Sequence, residues 1–328
     1  MTAMELDPRL IKLLDDGQRF AVLTHMNADG DGIGSSIALY SLLRERGKQV
    51  RMIHNDPVPA TYRFLKLVQQ VELFQPGEMA EFIESADGVF VLDNGSMARL
   101  GKLEPHVRAS SATKVCIDHH ETGDDAWDLL LVDPQSSATG EVVYGLFQAL
   151  GATMDRDVAE ALYVSLVTDS GHFRFSKTRP TSHRMAAALL EHGVRPEKIH
   201  ELLYERQSEA ELRLMGAGLA RLQLACDRRL IWTSLDLELQ RHLGALHLDT
   251  GAVVNALLAL EGARMALLLR ELPDGQVKVS LRSRGDVAVH ELARSHGGGG
   301  HQNAAGLVMD GPLDEAARRL VKEASATL

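Results

Sequence analysis

The sequence predicts an α/β protein whose first domain is a parallel sheet with helices on both faces, followed by a smaller α/β domain. Its 328 residues suit about two domains. Short apolar strands alternate with amphipathic helices in the first half, the pattern of a covered parallel sheet. A second alternation begins near Arg228. We therefore expect a first domain over 1–195, a helical connector over 196–225 and a second domain over 226–328.

In the first domain, apolar runs bounded by polar turns predict five strands. These are Phe20–Thr24, Gln49–His54, Gly88–Leu92, Lys114–Ile117 and Leu129–Val132. The segment Ser35–Arg46 predicts a helix, because its leucines recur on one side and Gly47 follows as a C-terminal glycine. Two strongly helical stretches follow Asp157, one leading to Asp169 and the other starting at Pro180.

The second domain is predicted from the same signals. We expect a strand at Arg228–Ser234, a helix at Thr250–Leu260 and a hairpin that turns at Pro273-Asp274-Gly275. Further helices are predicted near Val289–Ser295 and Asp314–Ala324.

Composition excludes several classes of protein. The N-terminus is acidic, and no long uncharged apolar run occurs, so we expect neither export nor a membrane span but a cytoplasmic protein. Two distant cysteines, Cys116 and Cys226, support neither a disulfide framework nor a zinc ribbon. The formal net charge of −10 argues against binding to long nucleic acids, which needs many basic side chains. Any nucleic-acid ligand should be short.

Possible metal ligands follow several predicted strands. His25, Asp29 and Asp31 come after the first strand, and Asp93 directly follows the strand ending at Leu92. The triplet Asp118-His119-His120 follows another strand, and Asp169 ends an apolar helix. Ligands of open parallel sheets bind beyond the carboxyl ends of the strands, so these clusters should converge. We expect the glycines around Asp29 and Asp31 to allow a sharp turn that aims both carboxylates inward.

Such convergence has an electrostatic consequence. Several carboxylates gathered within a few ångströms repel one another, and no Lys or Arg occurs in the immediate loops. Divalent cations are the natural counterions. A mixed set of histidines and aspartates suits manganese or iron-type ions better than calcium, although the residues alone do not select manganese.

These motifs resemble the DHH phosphoesterase superfamily, through the Asp118-His119-His120 triplet and the H-x-x-x-D-x-D loop at His25. The run from Gly297 to Gly306 (GGGGHQNAAG) is similar to the GGGH motif of the DHH-associated substrate-binding domain. Order and length most resemble the nanoRNase type, which hydrolyses short RNA and 3′-phosphoadenosine-5′-phosphate. The resemblance spans nearly the whole chain.

The resemblance implies two divalent ions, with manganese expected, and a water molecule as nucleophile. One ion would be held by His25, Asp29 and Asp93, and the other by Asp31, Asp93, His119 and Asp169. Asp118 and His120 would orient ligands or contact the substrate phosphate. It also suggests a homodimer.

The second domain is expected to bind substrate. Backbone N–H groups of Gly298, Gly299 and Gly300 could cradle a phosphate, with His301 beside them as a donor. Arg282, at the end of a predicted strand, is a candidate bidentate clamp for a phosphate or base edge. The motif match adds Asn303. Substrates are expected to be short RNA or DNA oligonucleotides or small nucleotides, gripped at one end.

Several alternatives stay open on sequence alone. A cyclic dinucleotide phosphodiesterase would use the same metals, and a catalytically inactive nucleotide sensor would keep the fold. The segment His172–Ser176 could supply an aromatic stacking face, or Phe173 and Phe175 could lie on one face of a strand in the core.

Overall fold

The structure, a computed structural model, describes residues 4–120, 124–248 and 250–328, with His301 described by its backbone alone. The chain divides into two compact units, Met1–Arg206 and Gln207–Leu328. The helices of the predicted connector are therefore shared between the units. Ile199 packs in a core of the first unit, whereas Leu214 packs in a core of the second.

The first unit contains a six-stranded parallel sheet, as the alternating pattern predicted. The strand order is β3-β2-β1-β4-β5-β6. Its strands are β1 Arg19–Thr24, β2 Gln49–His54, β3 Val71–Leu73, β4 Gly88–Leu92, β5 Thr113–Asp118 and β6 Leu129–Val132. Strand β3, which has only three residues, was not predicted because so short a run carries no periodic signal.

Helices cover both faces of this sheet. They are α1 Pro8–Asp16, α2 Gly30–Glu45, α3 Glu78–Glu84, α4 Glu104–Ala109, α5 Thr139–Leu150, α6 Arg156–Asp169, α7 Pro180–Glu191 and α8 Pro196–Tyr204. Three short 3-10 helices lie at Ala60–Tyr62, Lys66–Gln70 and Met97–Leu103. Successive residues of β1 enter different cores, since Val22 packs with α2 and α6 while Leu23 packs with α3 and α4. Because both faces of the sheet are buried in this way, the strand sequences are apolar throughout.

Helix α2 begins at Gly30, five residues before the predicted start at Ser35. The Asp29 carboxylate caps it by accepting hydrogen bonds from the N–H groups of Asp31 and Gly32. The expectation that the glycines form a sharp turn was therefore wrong, because they lie inside the helix. A side chain at Gly34 would place its Cβ 2.2 Å from the Ala161 carbonyl oxygen. These glycines let α2 approach α6 closely.

The second unit has a mixed six-stranded sheet in the order β11-β12-β10-β9-β8-β7. Its strands are β7 Gln223–Ala225, β8 Leu230–Leu235, β9 Met265–Glu271, β10 Val277–Ser283, β11 Gly299–His301 and β12 Ala304–Met309. Its helices are α9 Glu209–Ala220, α10 Leu237–His242, α11 Gly251–Leu258, α12 Val289–Ser295 and α13 Leu313–Ser325. The β9–β10 hairpin and helix α12 were predicted. Across the described ranges, no helix is long and apolar enough to cross a membrane.

The close approach of α2 to α6 generates a stability prediction. Replacing Gly34 by Ala should destabilise the first unit by about 1–3 kcal/mol, because the new methyl group overlaps backbone that cannot move freely. Thermal unfolding of metal-loaded protein measures the change. Gly145→Ala is the matched control, since its Cβ would meet only the flexible end of Met4. Equal stability of the Gly34 variant and the wild type would contradict the packing argument.

Candidate metal centre

Strand register places the predicted ligands at one edge of the sheet. Thr24 pairs with Leu92, and Leu92 pairs with Ile117, so β1, β4 and β5 end side by side. The residue after each of these positions is His25, Asp93 or Asp118. Asp93 adopts a left-handed backbone conformation with φ of 56°, which ends the strand abruptly. Helix α6 brings Asp169 to the same edge, as expected.

The side chains form two adjoining sets of potential ligands around Asp93. On one side, His25 Nε2 lies 3.4 Å from Asp93 Oδ2 and 4.0 Å from Asp29 Oδ1. On the other side, His119 Nε2 lies 3.8 Å from Asp93 Oδ1, 3.7 Å from Asp31 Oδ2 and 3.2 Å from Asp169 Oδ2. Asp93 thus presents one carboxylate oxygen to each set.

In both histidines, a hydrogen bond at Nδ1 leaves Nε2 as the nitrogen that can bind a metal ion. His25 Nδ1 lies 2.7 Å from the Met26 carbonyl oxygen, and His119 Nδ1 lies 3.2 Å from that of Ser136. A carbonyl can only accept, so each Nδ1 carries the proton and each Nε2 offers a lone pair. Both Nε2 atoms are buried and lack a hydrogen-bond partner among the described residues. Such orphaned acceptors fit a bound cation.

Burial keeps the histidines neutral. It lowers the pKa of His119 to about 4, with a further contribution from His120. Burial, followed by the positive charge of Arg99, also lowers the pKa of His25. At neutral pH both rings are therefore in the form that binds metal.

The pKa values of the carboxylates are raised, whereas those of the histidines are lowered. Burial, then repulsion from Asp31 and Asp29, raises the pKa of Asp93 well above its usual value. Burial and Asp169 do the same to the pKa of Asp31, and burial and Asp29 raise the pKa of Asp169 to about 6. These shifts measure the cost of ionising the cluster without a counterion, a cost that divalent cations remove. The residues therefore fit the predicted pair of ions.

Gly32 keeps space open at the centre of the cluster. A Cβ at this position would lie 2.5 Å from Thr24 Oγ1, 3.4 Å from His25 Nε2 and 3.5 Å from Asp93 Oδ2. Any side chain here would enter the ligand set, so the glycine that directly follows the H-x-x-x-D-x-D motif has a steric reason.

Three residues that hold Asp31 were missed by sequence reasoning. The N–H groups of Thr139 and Gly140, at the start of α5, donate to its two carboxylate oxygens, and Ser165 Oγ donates as well. A helix N-terminus favours a carboxylate. Helix α5 was not predicted, since Ala138 offers no capping side chain to mark its start, and only the fold shows that this start faces Asp31.

Asp118 orients the other two residues of the triplet through hydrogen bonds. Its Oδ1 accepts hydrogen bonds from the N–H groups of His119 and His120 and from His120 Nδ1, the last at 2.8 Å. Burial alone would raise the pKa of Asp118, but the hydrogen bond and charge of His120 outweigh it and lower that pKa. His120 is half exposed, and its Nδ1 lies 3.5 Å from Asp93 Oδ1. The structure therefore connects Asp118 to the orientation of His120.

A cation near the site was also missed. Lys177 Nζ donates to the carbonyl oxygen of His119 at 3.3 Å and interacts electrostatically with Asp169. The immediate ligand loops lack basic residues, but the turn that follows α6 places Lys177 beside the loop that carries His119.

Comparison with known proteins agrees with these motifs. Residues 19–166 match the model of the DHH family, N-terminal domain, and residues 239–328 match that of the DHHA1 domain. A bifunctional oligoribonuclease and PAP phosphatase from Thermus thermophilus is 32% identical over 302 residues, which cover 92% of this chain and 87% of the relative. The chain belongs to the DHH family.

Two further DHH comparisons cover most of the chain. A bifunctional oligoribonuclease and PAP phosphatase of Bacillus subtilis is 26% identical over 285 residues, 86% of each chain. The crystal structure of an exopolyphosphatase-related protein from Bacteroides fragilis superposes with a TM-score of 0.91 at 28% identity. That match covers 97% of this chain and 94% of the other. The predicted family and fold are confirmed.

In the DHHA1 unit, the glycine run is partly structural. A Cβ at Gly298 would lie 2.3 Å from the Gly306 carbonyl oxygen, and one at Gly300 would lie 2.4 Å from that of Ala304. Both glycines let β11 pair closely with β12. By contrast, a Cβ at Gly299 would meet no described atom within 4 Å. The same holds for Gly297, so the backbone of the run is open at Gly297 and Gly299 and closely packed at Gly298 and Gly300.

The other predicted binding residues of this unit have local contacts. The Asn303 amide donates to Ser283 Oγ and to the carbonyl oxygens of Gly285 and Val287, so it holds the loop after β10. Arg282 Nη1 donates to the Leu281 carbonyl oxygen. The His301 side chain lies outside what the structure describes. Binding roles for these residues stay predictions.

The raised pKa of Asp93 predicts an unusual stability change. In chelator at about pH 8, Asp93→Asn should raise the Tm of the metal-free protein, because it removes a carboxyl group whose ionisation the native state disfavours. The rise should be about 2–4 °C for each kcal/mol relieved. Asparagine also tolerates the left-handed backbone at this position.

The pH dependence of the Tm change caused by Asp93→Asn tests this explanation. The folded-state pKa lies above the unfolded value, so the cost of Asp93 is fully present above the folded pKa, decreases as the pH falls below it, and is gone below the unfolded pKa. The stability gain from Asp93→Asn should therefore shrink as the pH falls towards the unfolded pKa of an aspartate, about 4. Asp118→Asn is the contrasting variant and should destabilise, since the native state favours the Asp118 carboxylate. Destabilisation by both variants at pH 8 would contradict the electrostatic account.

Proposed function

We propose that this protein is a two-metal phosphoesterase that hydrolyses short oligonucleotides and 3′-phosphoadenosine-5′-phosphate. The observation that carries the proposal is the two-sided ligand set around Asp93, with both histidine Nε2 atoms unpartnered and buried. Family membership and the names of the relatives from Thermus thermophilus and Bacillus subtilis support the substrate class. The formal net charge of −10 favours short substrates over long nucleic acids.

Each ligand would have a defined role. His25, Asp29 and Asp93 would hold one ion, and Asp31, Asp93, His119 and Asp169 the other. When bound, two such ions lower the pKa of water and stabilise negative charge on the phosphate. We propose manganese as the ion, because the family resemblance favours it and the mixed His and Asp ligands are compatible with it. His120, held by Asp118 at the exposed side of the site, would donate a hydrogen bond to the substrate phosphate.

The DHHA1 unit would bind the part of the substrate that does not react. Arg282 would pair with a phosphate or base edge, and the backbone at Gly299 would accept close approach of an anion. We also propose that the active form is a homodimer, which sedimentation at working concentration tests.

A substrate panel tests the proposed activity. With Mn²⁺, purified protein should release mononucleotides from two-to-five-nucleotide RNA and phosphate from 3′-phosphoadenosine-5′-phosphate. Chelator or Asp93→Asn should abolish both reactions, because both need the shared carboxylate. Cyclic dinucleotides in the same panel test the nearest alternative activity. Preferred turnover of a cyclic dinucleotide would replace the proposal, and binding of all substrates without metal-dependent turnover would indicate a sensor.

The division of roles between the units predicts a different phenotype for Arg282→Ala. KM should rise about 10- to 100-fold, because a charge-assisted hydrogen bond contributes about 1.5–3 kcal/mol. Metal content and kcat should change little. Lys278→Ala is the matched control, since Lys278 is exposed on the same face of β10. Loss of bound metal in the Arg282 variant would contradict the assignment.

A further inference from the structure

The residues after Asp169 form a tight turn, which corrects the expectation of a strand with Phe173 and Phe175 on one face. His172 and Phe173 both have left-handed backbone conformations, with φ of 56° and 65°. Such conformations cost about 1–3 kcal/mol each and persist only where the surroundings hold them. The His172 N–H donates to the Val167 carbonyl oxygen at 2.9 Å, and the Phe173 N–H donates to Ser170 Oγ at 3.0 Å.

Because of this turn, the rings of His172 and Phe173 contact different parts of the first unit. Phe173 is half-buried and stacks on His183 with a centroid distance of 4.7 Å. The His172 ring instead meets two rings of α8, His200 at 5.1 Å and Tyr204 at 4.8 Å. His200 and Tyr204 also contact each other at 5.3 Å. We call His172, His200 and Tyr204 the ring cluster.

The ring cluster is exposed, unlike aromatic groups that serve a core. All three residues are exposed, and 42% of Tyr204 is accessible to solvent. Fully buried aromatic residues gain stability from the whole area removed from water, whereas these three gain only part of it. Folding stability therefore does not explain why a strained backbone exposes a ring to solvent.

The ring cluster adjoins the metal centre. His172 follows Asp169 by three residues, and α8 packs against the 3-10 helix that carries Tyr62. Tyr62 interacts electrostatically with both the Asp29 carboxylate and Tyr204, so both lie within electrostatic range of this one residue. Arg174 interacts with His172 and Tyr204 and adds positive charge. All these residues belong to the first unit.

We propose that the ring cluster is a nucleobase-binding subsite of the first unit, in which a base of the substrate stacks on His172 or Tyr204 while its phosphate meets the metal centre. This inference rests on the proposed function and adds residues that the ligand motifs do not contain. Aromatic faces stack on every base, so the subsite would be tolerant of sequence. It would favour nucleotide substrates over phosphate esters that lack a base.

A comparison of intact and abasic substrates tests the subsite. His172→Ala and Tyr204→Ala should each raise KM for a diribonucleotide about tenfold, the usual effect of removing a stacking ring. Neither should change KM for the same dinucleotide with both bases removed. His172→Phe should restore the wild-type KM, because it keeps a ring but no imidazole. His192→Ala, an exposed histidine at the end of α7, is the matched control and should behave as wild type.

The outcomes separate the two proposals. Metal content and Tm are measured for every variant to show that each folds as wild type does. Unchanged KM in both alanine variants, or equal losses on intact and abasic substrates, would overturn the subsite while leaving the phosphoesterase intact. Failure of His172→Phe to restore KM would also overturn stacking at His172. Wild-type protein that cleaves no dinucleotide in Mn²⁺ would overturn both proposals.

Discussion

Mutual repulsion among buried carboxylates is the constraint on which the rest of this molecule depends. Asp31 and Asp93 are almost fully buried, and Asp169 lies beside them. Burial and their mutual repulsion raise the pKa values of all three, so the described part of the chain, Lys177 included, does not fully compensate these charges. Hydrogen bonds to Asp31 offset part of the cost, but they come from neutral N–H and O–H groups. A fold that maintains this arrangement is organised around cations.

The scaffold explains how this arrangement is kept in place. In-register parallel strands place His25, Asp93 and Asp118 side by side, and the close packing of α2 against α6 brings Asp31 towards Asp169. Backbone carbonyls then select the histidine tautomers. Rigid elements thus supply both the ligands and the groups that orient them, which preorganises the site for an incoming ion.

Much of this could be predicted from sequence, because the signals were local. Strand ends, the Asp118-His119-His120 triplet and the helix ending at Asp169 are each visible in short segments. What could not be predicted depends on contacts between distant segments. Along α2, Gly30 lies against Thr168 and Gly34 lies against Ala161, and the support of Asp31 comes from Thr139 and Ser165. The left-handed turn at His172 is an exception: its hydrogen bonds to Ser170 and Val167 are local, but no glycine or other residue pattern at His172 and Phe173 predicts it.

Anomalous X-ray diffraction from crystals grown with Mn²⁺ tests the central claim most directly. The account predicts two strong peaks, one beside each Asp93 oxygen, with His25 coordinating the first ion and His119 the second. A single peak, or two ions that do not share Asp93, would contradict the two-metal arrangement. Well-ordered crystals at neutral pH with no ion among these carboxylates would contradict its electrostatic basis.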